Sequence, residues 1–442
     1  MHRSVHRTPP RLSRRALVGI AGALSAGLLL AGCSTGGGSG SGPSGGYSPA
    51  PKDLKANITY ALWDQTQVKA INANLAGFNK QYPDIKVNVD VTPYDTYFTK
   101  LQTEASSNTL PDVFWLNGPN FQLYADNGKV EPITGVVKAG AIDPANYPKA
   151  LNALYTANGV AYGVPKDFDT IGLWYNKALF AKAGVGTPTA DWTWDDLTKA
   201  ANAISAKLKS QGVYGVAAGM DGQTTYYDSI FQAGGSVLSA DGKKSEYASP
   251  ATKQGITFWR DLIASKGSPS VKQLTDTPAD QWFVSGKAAM LIGGDWGRSE
   301  IGDSPIAKDV QVAPLPKGEQ RATVIHGVSN VVAAGSKNKQ AAQALQVYLA
   351  SKEAQQQQGD MGAVIPAYTG TQASFAKSMP GVDLQVFLDE LAYAKPLPVS
   401  KNTAAWNALE AKYLPGVFAG TSPVDSTLQT LQSEMNAALA KE

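Results

Sequence analysis

The segment from Asn57 to Val91 opens with NITYAL (Asn57–Leu62) and closes with IKVNVDV (Ile85–Val91). The first string reads as a short strand. Between the two, Val68, Ile71, Leu75 and Phe78 recur at spacings of three and four, the stripe of an amphipathic helix. Pro83 ends that helix. Ile85, Val87, Val89 and Val91 alternate strictly, which predicts a strand with one polar face. A further helix is expected from Tyr94 to about Ser106, and DVFWL (Asp112–Leu116) reads as a buried strand. The order β-α-β-α-β implies an α/β layer with a largely parallel sheet. Ligands of such sheets sit beyond the carboxyl ends of the strands. Those ends are Trp63-Asp64 and Asn117-Gly118-Pro119-Asn120, which makes Trp63, Asp64, Asn117 and Asn120 candidate contacts. Asn in a Gly-Pro turn also serves simply to cap backbone.

Later segments repeat the mixture. Trp194 to about Lys209 is expected to be helical with Thr193 as its N-cap. Lys253–Ile263, Gln340–Ala350 and Ser426–Ala440 read as helices, Gln281–Ile292 as a helix followed by a strand, and Asn330–Ala334 as a strand. No fixed-period repeat is present.

The chain has 442 residues, too many for one ordinary core. Hydrophobic residues make up 43% and charged residues 17%, a globular composition. The formal charge of +3 is set by the N-terminus, where Arg3, Arg7, Arg11, Arg14 and Arg15 precede Cys33 with no acid among them. Without that segment the chain is slightly acidic, which argues against nucleic acid as a partner. Cys33 is the one cysteine, so no internal disulfide and no Cys-based zinc site can form. The histidines are His2, His6 and His326, so beyond the N-terminal segment little His-centred chemistry is available. No cofactor or metal constellation appears.

The basic N-terminus leads into an apolar run from Ala16 to Leu30, shorter than the ~20 residues that span a bilayer. Basic residues, an apolar run and small residues together make a signal peptide, here 1–32. It ends in Leu30-Ala31-Gly32-Cys33, which resembles the bacterial lipobox and implies a diacylglycerol on the Cys33 thiol. Ser13-Arg14-Arg15 looks a little like a twin-arginine signal, although Ala16-Leu17-Val18 continues it poorly. Residues 33–56 begin as a Gly/Ser/Pro tether that cannot bury apolar area. Gly42-Pro43-Ser44-Gly45-Gly46 fits a G-x-S-x-G string but lacks the strand and helix that would make it a nucleophile elbow.

Several strings, in order, are similar to the family 1 extracellular solute-binding proteins, the class that includes maltose-binding protein. They are Tyr82–Val87, Pro111-Asp112-Val113, VPKDFDTIGLWYNKALF (Val164–Phe180), TWDDL (Thr193–Leu197), FVSGKAAMLIGGDW (Phe283–Trp296), APLPKG (Ala313–Gly318) and Gly362–Pro366. The resemblance implies a two-lobed periplasmic-binding-protein-like α/β fold, each lobe a mostly parallel sheet flanked by helices, with a hinge between. It places lobe one at 57–165 and 327–370 and lobe two at 166–326 and 371–442. It also implies a monomeric sugar receptor, lipid-anchored on the outer face of the cell membrane, that delivers its ligand to the permease subunits of an ABC importer. No covalent chemistry is implied.

Sugars present an apolar ring face and a rim of hydroxyls, matched by aromatic planes with Asp, Asn, Gln and Arg. By the resemblance, Trp296 lies in the cleft after the Gly293-Gly294-Asp295 turn, with Asp295 binding hydroxyls or starting the turn. Asp169 is the acid expected to face ligand just past the first crossing, in competition with Asp167 and Lys166. DGQTTYYD (Asp221–Asp228) reaches the cleft with one of Tyr226 and Tyr227 inward. Trp406 is a late aromatic on a helix start. Leu116 stands where well-known sugar binders carry an aromatic. Trp174 and Tyr175 read as core, and His326 as a structural hydrogen-bonder near a crossing. Two alternatives stand beside the sugar receptor: the same fold binding glycerol 3-phosphate, which would demand Arg or Lys such as Lys166 and Arg298, and an exported glycosidase using paired carboxylates.

Overall fold

A computed structural model describes residues 46–442. The signal peptide, Cys33 and most of the tether lie outside the described residues. Eight strands form two four-stranded sheets. They are β1 (Ala56–Leu62), β2 (Ile85–Val91), β3 (Val113–Asn117), β4 (Ile171–Asn176), β5 (Tyr214–Ala218), β6 (Ala288–Gly294), β7 (Val310–Ala313) and β8 (Val328–Val332). The first sheet runs β8-β3-β1-β2 and the second β7-β4-β6-β5. Helices pack around each sheet, and each half carries its own apolar core.

Local chemistry accounts for the helices. The predicted stripe becomes a helix at Val68–Gln81 that buries Ile71, Leu75 and Phe78, each contributing roughly 1.5–3 kcal/mol of burial. Thr193 and Asp196 form a capping box that starts Trp194–Lys207. The helix expected from Lys253 begins earlier, at Pro250. Ser249 caps it and proline's fixed φ suits the first turn.

The second sheet departs from the expected parallel arrangement. β5 and β6 are parallel, but β4 is antiparallel to both β6 and β7. In the first sheet β8 is likewise antiparallel to β3, while β1 is parallel to β2 and β3. One cause explains both exceptions. β4 and β8 are the strands that follow a passage of the chain from one half to the other, so each starts at the edge where the others end. Ile171 pairs with Gly294, and Val328 with Asn117. The remaining six strands point their carboxyl ends toward the space between the sheets.

Three segments meet where the chain passes between the halves. Lys166 N donates to Val328 O (2.8 Å), and Asp169 and His326 exchange backbone bonds of 3.0 and 3.3 Å. Ile365 and Pro366 pair with Phe168 and Asp167, and a third apolar cluster containing Val164, Phe168, Trp174, Ile365 and Phe387 packs beneath. Gly327 allows this closeness, because a Cβ there would lie 2.5 Å from the Asp167 carbonyl oxygen. Gly327→Ala is therefore expected to destabilise by about 1–3 kcal/mol, measured by chemical denaturation. Gly335→Ala, where an added Cβ meets nothing within 4 Å, should change stability far less; equal effects would refute the packing account.

Candidate functional site

The strand ends enclose a cavity of about 830 Å³ lined from both halves. From the first half, Trp63 follows β1 and Tyr94 opens the helix Tyr94–Ser107, their rings 5.6 Å apart in an edge-to-face pair. Trp63 also packs edge-on against Trp115, which is fully buried and donates to the Tyr60 hydroxyl at 2.6 Å. Tyr94 is 52% exposed. It gives this wall the aromatic surface that Leu116 does not supply. Asn117 donates to the Tyr94 hydroxyl (3.2 Å) and accepts from Asn120 Nδ2 (2.8 Å). Both asparagines line the cavity, yet their mutual bond fixes the ring of Tyr94. Asp64 caps a short turn, accepting from Thr66 N at 2.8 Å and Gln67 Nε2 at 2.9 Å.

The second half supplies the β6 terminus. Trp174, in the core, donates to the Gly294 carbonyl at 3.2 Å. The Trp296 ring then folds across Gly294, where a Cβ would fall 1.9 Å from the indole. Trp296 is half-buried and lines the cavity. Asp295 is 1% exposed. One of its oxygens accepts from Thr170 N (3.3 Å), the other has no hydrogen-bond partner among the described residues, and the residue lines the cavity. Burial, then the neighbouring carboxylates Asp169 and Asp167, push its pKa well above the ordinary carboxylate range.

Asp169 also lines the cavity and accepts from Gln223 Nε2 at 2.8 Å. Asp167 lines it too, but its carboxylate is held by the buried Lys166 ammonium and by Val328 N (2.8 Å). His326 Nε2 accepts from Gly118 N at 3.1 Å, while Nδ1 faces Asp169 at 3.7 Å. The ring thus ties the Asn117-Gly118 turn to the second half.

Two expected contacts lie elsewhere. Trp406 is fully buried in the second core and donates to Ser400 Oγ (2.8 Å). On its helix, Thr403–Phe418, the cavity face is Ala404 and Asn407. Positions three apart share that face, and 406 points away from it. Tyr226 packs against Phe418 and donates to Glu410 at 3.3 Å inside the core. Tyr227 is the member of the pair that borders the cavity. A single-turn π-helix at Gly222–Tyr226, capped by Asp221, sets this rotation. Tyr94, Gln223, Asp280, Glu300 and Asn407 also line the cavity. Sequence reading had not singled them out. Tyr94 carried a signal as the expected start of a helix just after the strand Ile85–Val91, and Gln223 as a member of the Asp221–Asp228 loop.

Beneath Tyr227 and Asn407 lies Glu410, fully buried. It accepts from Tyr227 (2.8 Å), Asn407 Nδ2 (2.8 Å), Tyr226 and Tyr247. Burial outweighs those four donors and lifts its pKa from 4.5 to about 7.

The chain from Trp63 to Gln356 matches the model of the bacterial extracellular solute-binding protein family. An ABC substrate-binding protein of Listeria monocytogenes, solved in complex with cycloalternan, is 28% identical, superimposes with a TM-score of 0.82, and is matched over 88% of this chain and 100% of its own. The diacetylchitobiose binding protein DasA of Streptomyces coelicolor is 25% identical over 412 residues, 89% of this chain and 92% of that one. A putative binding protein of Brucella abortus is 24% identical over 376 residues, 82% and 88% of the two chains. Two lobes facing a cleft, each presenting strand ends to it, define a solute-binding protein. This chain belongs to the family 1 extracellular solute-binding proteins.

A folded-state pKa raised above the unfolded one favours the fold at low pH, and that contribution is lost as pH rises through the folded value. Stability is therefore expected to decline between about pH 5 and pH 8, in part through Glu410. Glu410→Gln, which keeps the shape of the protonated side chain, should flatten that decline in thermal melts across the range. An unchanged slope would show that Glu410 stays ionised in the fold.

Proposed function

We propose that this protein is the sugar receptor of an ABC importer, gripping one sugar or short oligosaccharide between its lobes. The observation that carries this reading is the lining of the cleft. Trp63 and Tyr94 from one side and Trp296 from the other offer aromatic surface, with carboxylates and amides between them. Aromatic planes stack on sugar rings, and carboxylates accept hydroxyl hydrogen bonds with charge assistance. The Listeria structure holds cycloalternan and the Streptomyces relative is named for diacetylchitobiose, which supports the same ligand class here.

An anionic solute such as glycerol 3-phosphate fits less well, since no Lys or Arg lines the cavity among the described residues. Lys166 is buried against Asp167 and Gln67, and Arg298 turns to the Ser378 carbonyl. Glycoside hydrolysis is also disfavoured. Asp167 is spent on Lys166, and the family that the chain matches is one of solute-binding proteins. The reading is of binding and release with no bond broken.

Residues 57–165 with 327–370 would move as one lobe and 166–326 with 371–442 as the other, bending at the crossings. Ligand touching both walls stabilises the closed form, which the permease subunits recognise. A lipid on Cys33 would hold a monomeric receptor at the outer face of the membrane. No helix among the described residues is long and apolar enough to cross one.

A thermal-shift screen against mono- and oligosaccharides tests the reading. A ligand at 100 times Kd stabilises by roughly 2.7 kcal/mol. It should also reduce the radius of gyration in solution scattering and alter tryptophan fluorescence. Trp296→Ala should weaken binding of the same sugar at least about tenfold, ~1.4 kcal/mol. Silence across a broad panel would overturn the sugar assignment.

A further inference from the structure

The cleft walls carry more carboxyl groups than hydroxyl recognition requires. Asp64 projects from the first half, Asp167 and Asp169 from the crossing, and Asp221, Asp280, Asp295 and Glu300 from the second half. The hydrogen-bond donors to four of these are neutral and bring no positive charge. Asp64 and Asp221 cap turns, accepting from Thr66 and Thr224 backbone N–H groups at 2.8 and 2.9 Å. Asp280 accepts from Gln281 N at 2.8 Å, and Glu300 from the Gln281 side chain at 2.6 Å. No Lys or Arg lines the cavity among the described residues, and the buried Lys166 is committed to Asp167.

A second observation points to the ligand that would balance this charge. Asp295, 1% exposed, keeps one oxygen without a protein partner at the foot of the Trp296 turn. Among the described residues no three His, Cys, Asp or Glu side chains converge closely enough to hold a metal ion. The acids are spread around a cavity of about 830 Å³, the arrangement that suits an extended organic cation. Walls of one sign in a low-dielectric cleft focus the field and concentrate ligands of opposite charge.

We propose that the cleft selects an amino sugar in its ammonium form, with the charged nitrogen near Asp295 and Asp169 and the ring against Trp296. The inference rests on the sugar-receptor reading above and narrows it. An ammonium there makes charge-assisted bonds that a hydroxyl or an acetamido group at the same carbon cannot match.

Matched ligands separate the two levels. Calorimetric titration of the full chain at pH 6 would use β-1,4-linked glucose disaccharides bearing hydroxyl, ammonium or acetamido groups at carbon 2, and the galactose counterparts. The expected result is at least tenfold tighter binding of the ammonium form in 50 mM salt. That advantage should shrink in 500 mM salt, as screening demands. Asp295→Asn should reduce the advantage, and Glu300→Gln, at a half-buried position, should do so to a smaller degree if the first variant fails to fold. Equal or tighter binding of the hydroxyl or acetamido form overturns the amino-sugar inference and leaves the sugar receptor standing. Binding of none of the six overturns the amino-sugar inference, and silence across the broader sugar panel as well overturns both.

Discussion

The buried Lys166–Asp167 pair is the constraint on which the rest of the molecule depends. Lys166 Nζ lies 4.4 Å from the centroid of the Trp115 ring and bonds Gln67 Oε1 at 3.0 Å, both in the first half. Asp167 accepts from Val328 N at 2.8 Å, where the chain returns. An ion pair taken out of water is costly unless its remaining hydrogen-bonding capacity is met. Here a ring face, an amide and a backbone N–H meet it, and each comes from a different element. The pair therefore fixes the relative positions of β3, the outgoing segment and β8. Removing either partner would leave the other charged and buried, so the site and the crossing cannot be altered independently.

From that junction the strand directions follow. The chain enters each half at the edge facing the other half, so the entering strand must run outward and its neighbours inward. The inward ends then carry the residues that face the cavity: Trp63 after β1, Asn117 closing β3, and Gly294 to Trp296 at the end of β6. The resulting mixed sheets come from the entry point of the chain rather than from strand propensity. This is why the alternation of apolar residues predicted the strands but not the antiparallel order of the second sheet.

What could be read in the sequence divides along the same line. Periodicity gave the helix at 68–81, the strand at 85–91 and the capping of 194–207, because burial on one face leaves a local pattern. Resemblance pointed to Asp169, Asp295, Trp296 and one of Tyr226 and Tyr227; of these, Asp169, Asp295, Trp296 and Tyr227 border the cavity. Trp406 and Tyr226 failed for a rotational reason: an aromatic on a helix is displaced from the cleft by a shift of one residue. Asp280 and Glu300 come from short helices at Ala279–Val284 and Arg298–Asp303. They reach the cavity only through the packing of those helices beside β6, a long-range arrangement with no local signature.

The two walls contribute unlike chemistry, and that asymmetry bears on closure. The first half brings Trp63 and Tyr94, braced by Tyr97, Phe98 and Trp115. The second brings Trp296 and most of the acids, with Tyr227 and Asn407 steadied from below by Glu410. Drawing the halves together without a guest would crowd like charges into a drier space, where their repulsion grows. A ligand with hydroxyl or ammonium donors offsets that repulsion while its ring covers the aromatic surface opposite. The closed form is then favoured only when something fills the cleft, which is the condition a receptor must meet if its partner is to recognise the loaded state alone.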